Sequence, residues 1–168
     1  SADDTGVMAG VTAVEGDRMI RIDGDSYTMT FDKLNGEITA WEYKDVSLLT
    51  QGPRINLWRA PIDNDVHLAK QWRESGYHEL DAYLRRVELW TQEDQSVIQI
   101  KTESVLGVKG TRPLFQVEQL YTIYGSGEVK LENRLEPLKE GLPPLPRVGI
   151  QFTMPNQFER FAWFGLGP

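Results

Sequence analysis

The chain has 168 residues, enough for one domain with its own core and too few to add a second large one. Its 40% hydrophobic and 26% charged residues are those of a folded globular protein, which excludes disorder and fibrous repeats. A formal net charge of −7 leaves no basic patch for a nucleic-acid backbone or an anionic membrane. With no cysteine and only two histidines, His67 and His78, disulfides, thiolate chemistry and Cys- or His-rich metal sites are excluded as well.

No apolar run approaches the roughly 20 residues needed to cross a bilayer. The polar opening Ser1-Ala2-Asp3-Asp4-Thr5 has neither the basic nor the apolar region of a secretory leader, although in a fragment these residues say nothing about targeting of the parent protein; the expected compartment is the cytoplasm.

Along the chain, period-two alternation is the dominant signal, and it assigns side chains to opposite faces of strands. A first strand is expected at about 18–23, followed after Asp23-Gly24 by one in which Tyr27, Met29 and Phe31 share a face. Asn35-Gly36 predicts a hairpin turn into a strand at about 37–43, and another strand is expected at about 53–59. The single helix is read at 66–75: Asp65 is placed to cap it, Leu68 and Trp72 lie four apart on one face, and Gly76 stops it.

Strands are next expected at about 84–92, 96–104 and 114–124, the last turning at Gly125-Ser126-Gly127 into one where Val129, Leu131 and Leu135 oppose Glu128, Lys130, Glu132 and Arg134. The segment from Glu136 to Pro146 carries Pro137, Pro143, Pro144 and Pro146, cannot pair as a central strand, and reads as a crossing loop inside one domain. Beyond it Val148, Ile150, Phe152 and Met154 oppose Arg147, Gln151 and Thr153 and are expected to form the dry side of another strand, and a last strand is expected at about 158–164. Many short antiparallel strands joined by such turns predict two packed sheets, an all-β sandwich with one short helix.

The most unusual local sequence is Asn56-Leu57-Trp58-Arg59-Ala60-Pro61-Ile62-Asp63-Asn64-Asp65. One reading makes it a sugar-facing loop, with indole stacking on a pyranose and Arg, Asp and Asn hydrogen-bonding hydroxyls. The other makes it structural: Asp63 and Asn64 build an Asx turn, Asp65 caps the helix, and Arg59 pairs with one of the acids. From the residues alone the structural reading leads. Asp63 and Asp65 do not read as a catalytic pair, because a retaining glycosidase needs two carboxyls about 5–5.5 Å apart across the scissile bond. Glu128, Glu132 and Glu136 read as a solvated face, and Phe158, Phe161, Trp163 and Phe164 as core or interface.

These residues also carry a resemblance. The run from Gly52 to Asp65, Gly52-Pro53-Arg54-Ile55-Asn56-Leu57-Trp58-Arg59-Ala60-Pro61-Ile62-Asp63-Asn64-Asp65, resembles the signature that opens the last domain of large β-galactosidases of glycoside hydrolase family 2, also found as the small subunit of two-chain forms. Trp72-Arg73-Glu74-Ser75-Gly76, Pro146-Arg147-Val148-Gly149-Ile150 and Glu159-Arg160-Phe161-Ala162-Trp163-Phe164-Gly165-Leu166-Gly167-Pro168 are similar to the family's pattern in the expected order. The likeness covers about Val14 to Pro168.

The resemblance implies an antiparallel super-sandwich of the galactose-mutarotase kind, in a family that hydrolyses terminal β-galactosides with retention. Its catalytic glutamates lie on a separate TIM barrel, so this chain is expected to contain no catalytic residue. It is expected to buttress that barrel, and to be about the first half of its parental domain, with strand edges that favour self-association or an oligomer. The pocket-rim role carries over to Asp63, Asn64, Asp65, Val66 and His67, with Arg59 beside them; the helix near Trp72 begins soon enough to shorten the loop relative to long-lid members. No cofactor is expected in this domain, and any magnesium or sodium of the parent enzyme is expected in other domains. Two other readings stay open: a free-standing carbohydrate-binding module using Trp58, Trp41 or Trp90, and a purely structural domain that holds an oligomer together.

Overall fold

The computed structural model describes residues 10–93, 95–160, 162, 164 and 165. Among them, strands dominate: β1 (Val11–Glu15), β2 (Met19–Gly24), β3 (Tyr27–Asp32), β4 (Glu37–Tyr43), β5 (Val46–Leu49) and β6 (Gln51–Asn56) come first. A 3-10 turn (Asp63–Asp65), the helix α1 (Val66–Glu74) and a second 3-10 turn (Tyr77–Glu79) interrupt them. The remaining strands are β7 (Asp81–Thr91), β8 (Val97–Gly107), β9 (Phe115–Tyr124), β10 (Val129–Pro137) and β11 (Gly149–Thr153).

The strands make a seven-stranded sheet ordered β1-β2-β3-β4-β6-β11, with β5 pairing β4, and a four-stranded sheet ordered β10-β9-β8-β7. Every ladder is antiparallel. Inward positions of the two sheets face each other: Ile20, Ile22, Met29 and Phe31 from the larger meet Ile98, Ile100, Tyr121 and Ile123 from the smaller in one buried core. The Phe31 and Tyr121 rings meet edge to face at 5.3 Å, an arrangement that aromatic quadrupoles favour. The expected all-β sandwich with one short α-helix is what the chain forms.

A second core lies under α1, where Leu57, Trp72 and Tyr77 pack on Leu106, Phe115 and Val117 of the smaller sheet. The helix ends where the sequence predicts. Gly76 takes a left-handed φ of 76°, and its N–H donates to the Arg73 carbonyl at 2.9 Å.

Several local expectations are corrected. The turn between β2 and β3 falls on Asp25 and Ser26, while Gly24 closes β2; glycine is needed there because a Cβ would sit 2.1 Å from the Tyr27 ring. The strands expected at 53–59 and 84–92 run instead over Gln51–Asn56 and Asp81–Thr91. β1 and β5 were not expected at all. The hairpin into β5 turns on Lys44 and Asp45 with φ of 47° and 63°, a left-handed pair with no glycine to announce it. Of the strand expected at 158–164, Phe158–Arg160 is irregular, and Phe161 and Trp163 lie outside the described residues.

The largest correction concerns β11. Its apolar stripe is not dry: Phe152 is 44% exposed, and Val148, Ile150 and Met154 are exposed with it. The reason is position, since β11 is the last strand of its sheet, where its apolar side chains are left partly open to solvent.

Candidate functional site

The unusual segment begins as β6 leaves the sheet. Asn56 makes a tight Asx turn, its Oδ1 accepting the Trp58 N–H at 2.9 Å, and this turns Trp58 towards the second core. There Trp58 is half-buried, with its indole 6.5 Å from that of Trp72 and 5.6 Å from the His78 ring.

Arg59 is the hub of the next turn of chain. Its guanidinium grips Asp65 with both ends, Nη1 to Oδ2 at 2.5 Å and Nη2 to Oδ1 at 2.9 Å. Its Nε donates to the Pro146 carbonyl at 2.8 Å, and its plane lies 5.3 Å from the Trp72 ring centroid. A bidentate Arg–carboxylate pair fixes direction as well as distance.

Asp65 is buried, and its Oδ2 also accepts the Ile62 N–H at 2.8 Å. The Arg59 hydrogen bonds, and after them the Ile62 N–H, hold its carboxyl below the ordinary aspartate range against the opposing effect of burial. The same contact raises Arg59. The pairing of Arg59 with one of the acids is therefore what forms, whereas two other structural expectations change. Asp65 occupies the cap position of α1 but makes no side-chain hydrogen bond into the helix, because both oxygens point back to Arg59 and Ile62. Asp63 and Asn64 sit in a 3-10 turn, and the Asx turn of the segment belongs to Asn56.

The loop thus has a fixed base and an open tip. Asp63, Asn64 and His67 are exposed, and so are the apolar neighbours Ile62 at 60% and Val66 at 69%. Arg59 and Asp65 are brought together; Asp63, Asn64 and His67 are carried beside them on the outer surface.

A cleft of about 550 Å³ opens between the sheets on the other side of Trp58, lined by Glu37, Arg54, Gln119 and Gln151 among others, and it does not reach Arg59, Asp63, Asn64, Asp65 or His67. Glu37 and Arg54 pair across it at 2.7 Å. Of the three tryptophans considered as stacking platforms, Trp58 lies beside other rings, Trp41 packs against the larger core and Trp90 is 42% exposed. Among the described residues no three His, Asp or Glu side chains converge to hold a metal ion, and no helix is long and apolar enough to cross a membrane. The contact that sequence reasoning missed is the Pro146 carbonyl under Arg59. A carbonyl is common to every residue type, and the only available signal was the proline run, which cannot pair its own backbone as a strand.

A two-sheet antiparallel sandwich carrying this loop at the end of its sixth strand defines an all-β sandwich domain. Residues 23–168 match the family model described as "Beta galactosidase small chain", and the chain belongs to that family. It is similar to the β-galactosidase of Priestia megaterium, 30% identical over 163 residues that make up 94% of this chain and 15% of that protein. It is also similar to those of Psychromonas ingrahamii, at 28% identity over 86% of this chain and 15% of the relative, and Clostridium acetobutylicum, at 28% over 92% and 17%. The chain therefore spans about one sixth of the length of the relatives it matches.

Proposed function

We propose that this chain is a non-catalytic domain of a cytoplasmic, oligomeric β-galactosidase that hydrolyses terminal β-D-galactosides with retention. In this reading it buttresses the catalytic barrel and supplies part of the rim of the galactoside pocket through Arg59, Asp63, Asn64, Asp65 and His67. The acid/base and nucleophile belong to another domain, as do any magnesium and sodium sites.

The observation that carries the reading is the division of labour in the loop. Arg59 and Asp65 are engaged with each other, Pro146 and Ile62, so they hold the loop and do not reach out. Asp63, Asn64 and His67 stand free of that network on a fixed support, and their polar groups are suited to sugar hydroxyls. The exposed apolar face of β11, at the open edge of its sheet, supports docking against the remainder of the enzyme.

The test is the double variant Asp63→Ala/Asn64→Ala in the complete enzyme. Two hydrogen bonds to substrate, at about 1 kcal/mol each, predict a rise of about 30-fold in KM for a galactoside if they act equally in ground and transition states. Unchanged KM and kcat would remove the rim role and leave a structural domain.

A further inference from the structure

We propose that the proline-rich segment between β10 and β11 is a strap that sets the position of the 62–67 loop, with Trp72 and Tyr77 as its positioning residues; its effect on galactoside affinity rests on the pocket-rim reading.

Pro143, Pro144 and Pro146 have no N–H and a fixed φ, so this stretch cannot exchange ladder hydrogen bonds with a neighbour, but its carbonyls remain strong acceptors. Three of them are taken by side chains from a segment far away in sequence. The Tyr77 O–H donates to the Pro143 carbonyl at 2.8 Å, the Trp72 indole N–H to Pro144 at 2.7 Å, and Arg59 Nε to Pro146 at 2.8 Å. The order is regular: as the strap advances, its donors retreat from 77 to 72 to 59, so the two segments run past each other in opposite directions.

Burial makes these contacts compulsory. Trp72 and Tyr77 lie inside the second core, where an indole N–H or a phenol O–H without an acceptor is costly. Leu142 and Leu145 of the strap pack against the same core, so the strap is seated by apolar contact and registered by its carbonyls. Trp72 in turn presents its ring to Arg59, which holds Asp65, which holds the Ile62 N–H. The strap is thus joined to the base of the loop both directly, through Pro146, and through the Trp72 ring.

The experiment uses the complete enzyme with Tyr77→Phe, with Trp72→Phe/Tyr77→Phe, and with Ile98→Val in the larger core as a control that weakens packing without touching the strap. Hydrogen exchange is followed at 60–67 and at β3, whose buried side chains all lie in the larger core, and kinetics are run on a nitrophenyl galactoside. Losing one neutral hydrogen bond predicts about five-fold faster exchange at 60–67 for Tyr77→Phe. The double variant goes further, exchange in β3 does not change, and KM rises while kcat holds. Faster exchange with unchanged KM keeps the strap as the anchor and removes the rim reading. Exchange at 60–67 that does not change, or that rises no more than with Ile98→Val, overturns the proposal. Should the double variant fail to fold, Tyr77→Phe, which removes a single oxygen, carries the same test.

Discussion

The two cores of this domain are built from different materials. Between the sheets, isoleucines from β2 and β8 meet Met29, Phe31 and Tyr121, and the packing is mostly aliphatic. Under α1, Trp72 and Tyr77 bring polar handles into the interior and hand them to proline carbonyls, while Arg59 and Asp65 close the rim of the same cluster. The first arrangement is mainly aliphatic packing, its tyrosine hydroxyls ending on nearby carbonyls such as that of Tyr124, and it sets the distance between layers. The second is directional, and it fixes where one loop sits. A sandwich needs only the first to exist; a positioned surface loop needs the second.

The contrast can be broken or sharpened at graded cost. The largest effect belongs to Phe31→Ala, which removes a fully buried ring from between the sheets. A loss of about 3–5 kcal/mol is expected in denaturant unfolding, with all regions losing protection together. Retention of most of the stability would mean that the sheets do not depend on each other.

Acid should act on the second region selectively. Because Arg59 lowers the folded-state pKa of Asp65 beneath the ordinary value of 3.8, the pair's contribution is present above that value and is lost as pH falls through the lower, folded one. The amide resonance of Ile62, whose N–H donates to Asp65, is expected to titrate with a midpoint under 3.8 and to stop titrating in Asp65→Asn. A midpoint at or above 3.8 would mean that the ion pair does not govern the loop.

The smallest effect on the domain's own stability is expected from Phe152→Ser on β11, since that side chain is already 44% exposed. A change within about 0.5 kcal/mol is expected for the separate chain, and a visible weakening of its association with the rest of the enzyme by sedimentation. A large loss in the separate chain would show that β11 is covered from within.

Much of this architecture was legible in the residues because alternation reports which side chains share a face. β3 is the clearest case, with Tyr27, Met29 and Phe31 all buried. Alternation does not report what covers that face. Val129, Leu131 and Leu135 on β10 and Ile150 and Phe152 on β11 carry equivalent patterns, yet the first set packs against the two cores and the second is open. β1 and β5 are illegible for a different reason: five and four residues are too few to establish a period, and Lys44-Asp45 is not a turn that composition advertises.

In the loop, the partnership of Arg59 with a nearby acid could be foreseen from six residues of separation and opposite charge. Its third partner, the carbonyl of Pro146, could not, because backbone acceptors carry no sequence identity. The distinction between Asp65, which supports, and Asp63, which is presented, is likewise a matter of direction that the spacing of two acids leaves open.

The most direct measurement is hydrogen exchange of the complete enzyme with and without saturating galactose, read at residues 60–67. The sugar is predicted to slow exchange there, on a loop that contributes no catalytic group, while β2 and β3 are unaffected. Identical exchange at 60–67 in both states would contradict a place for this loop at the pocket.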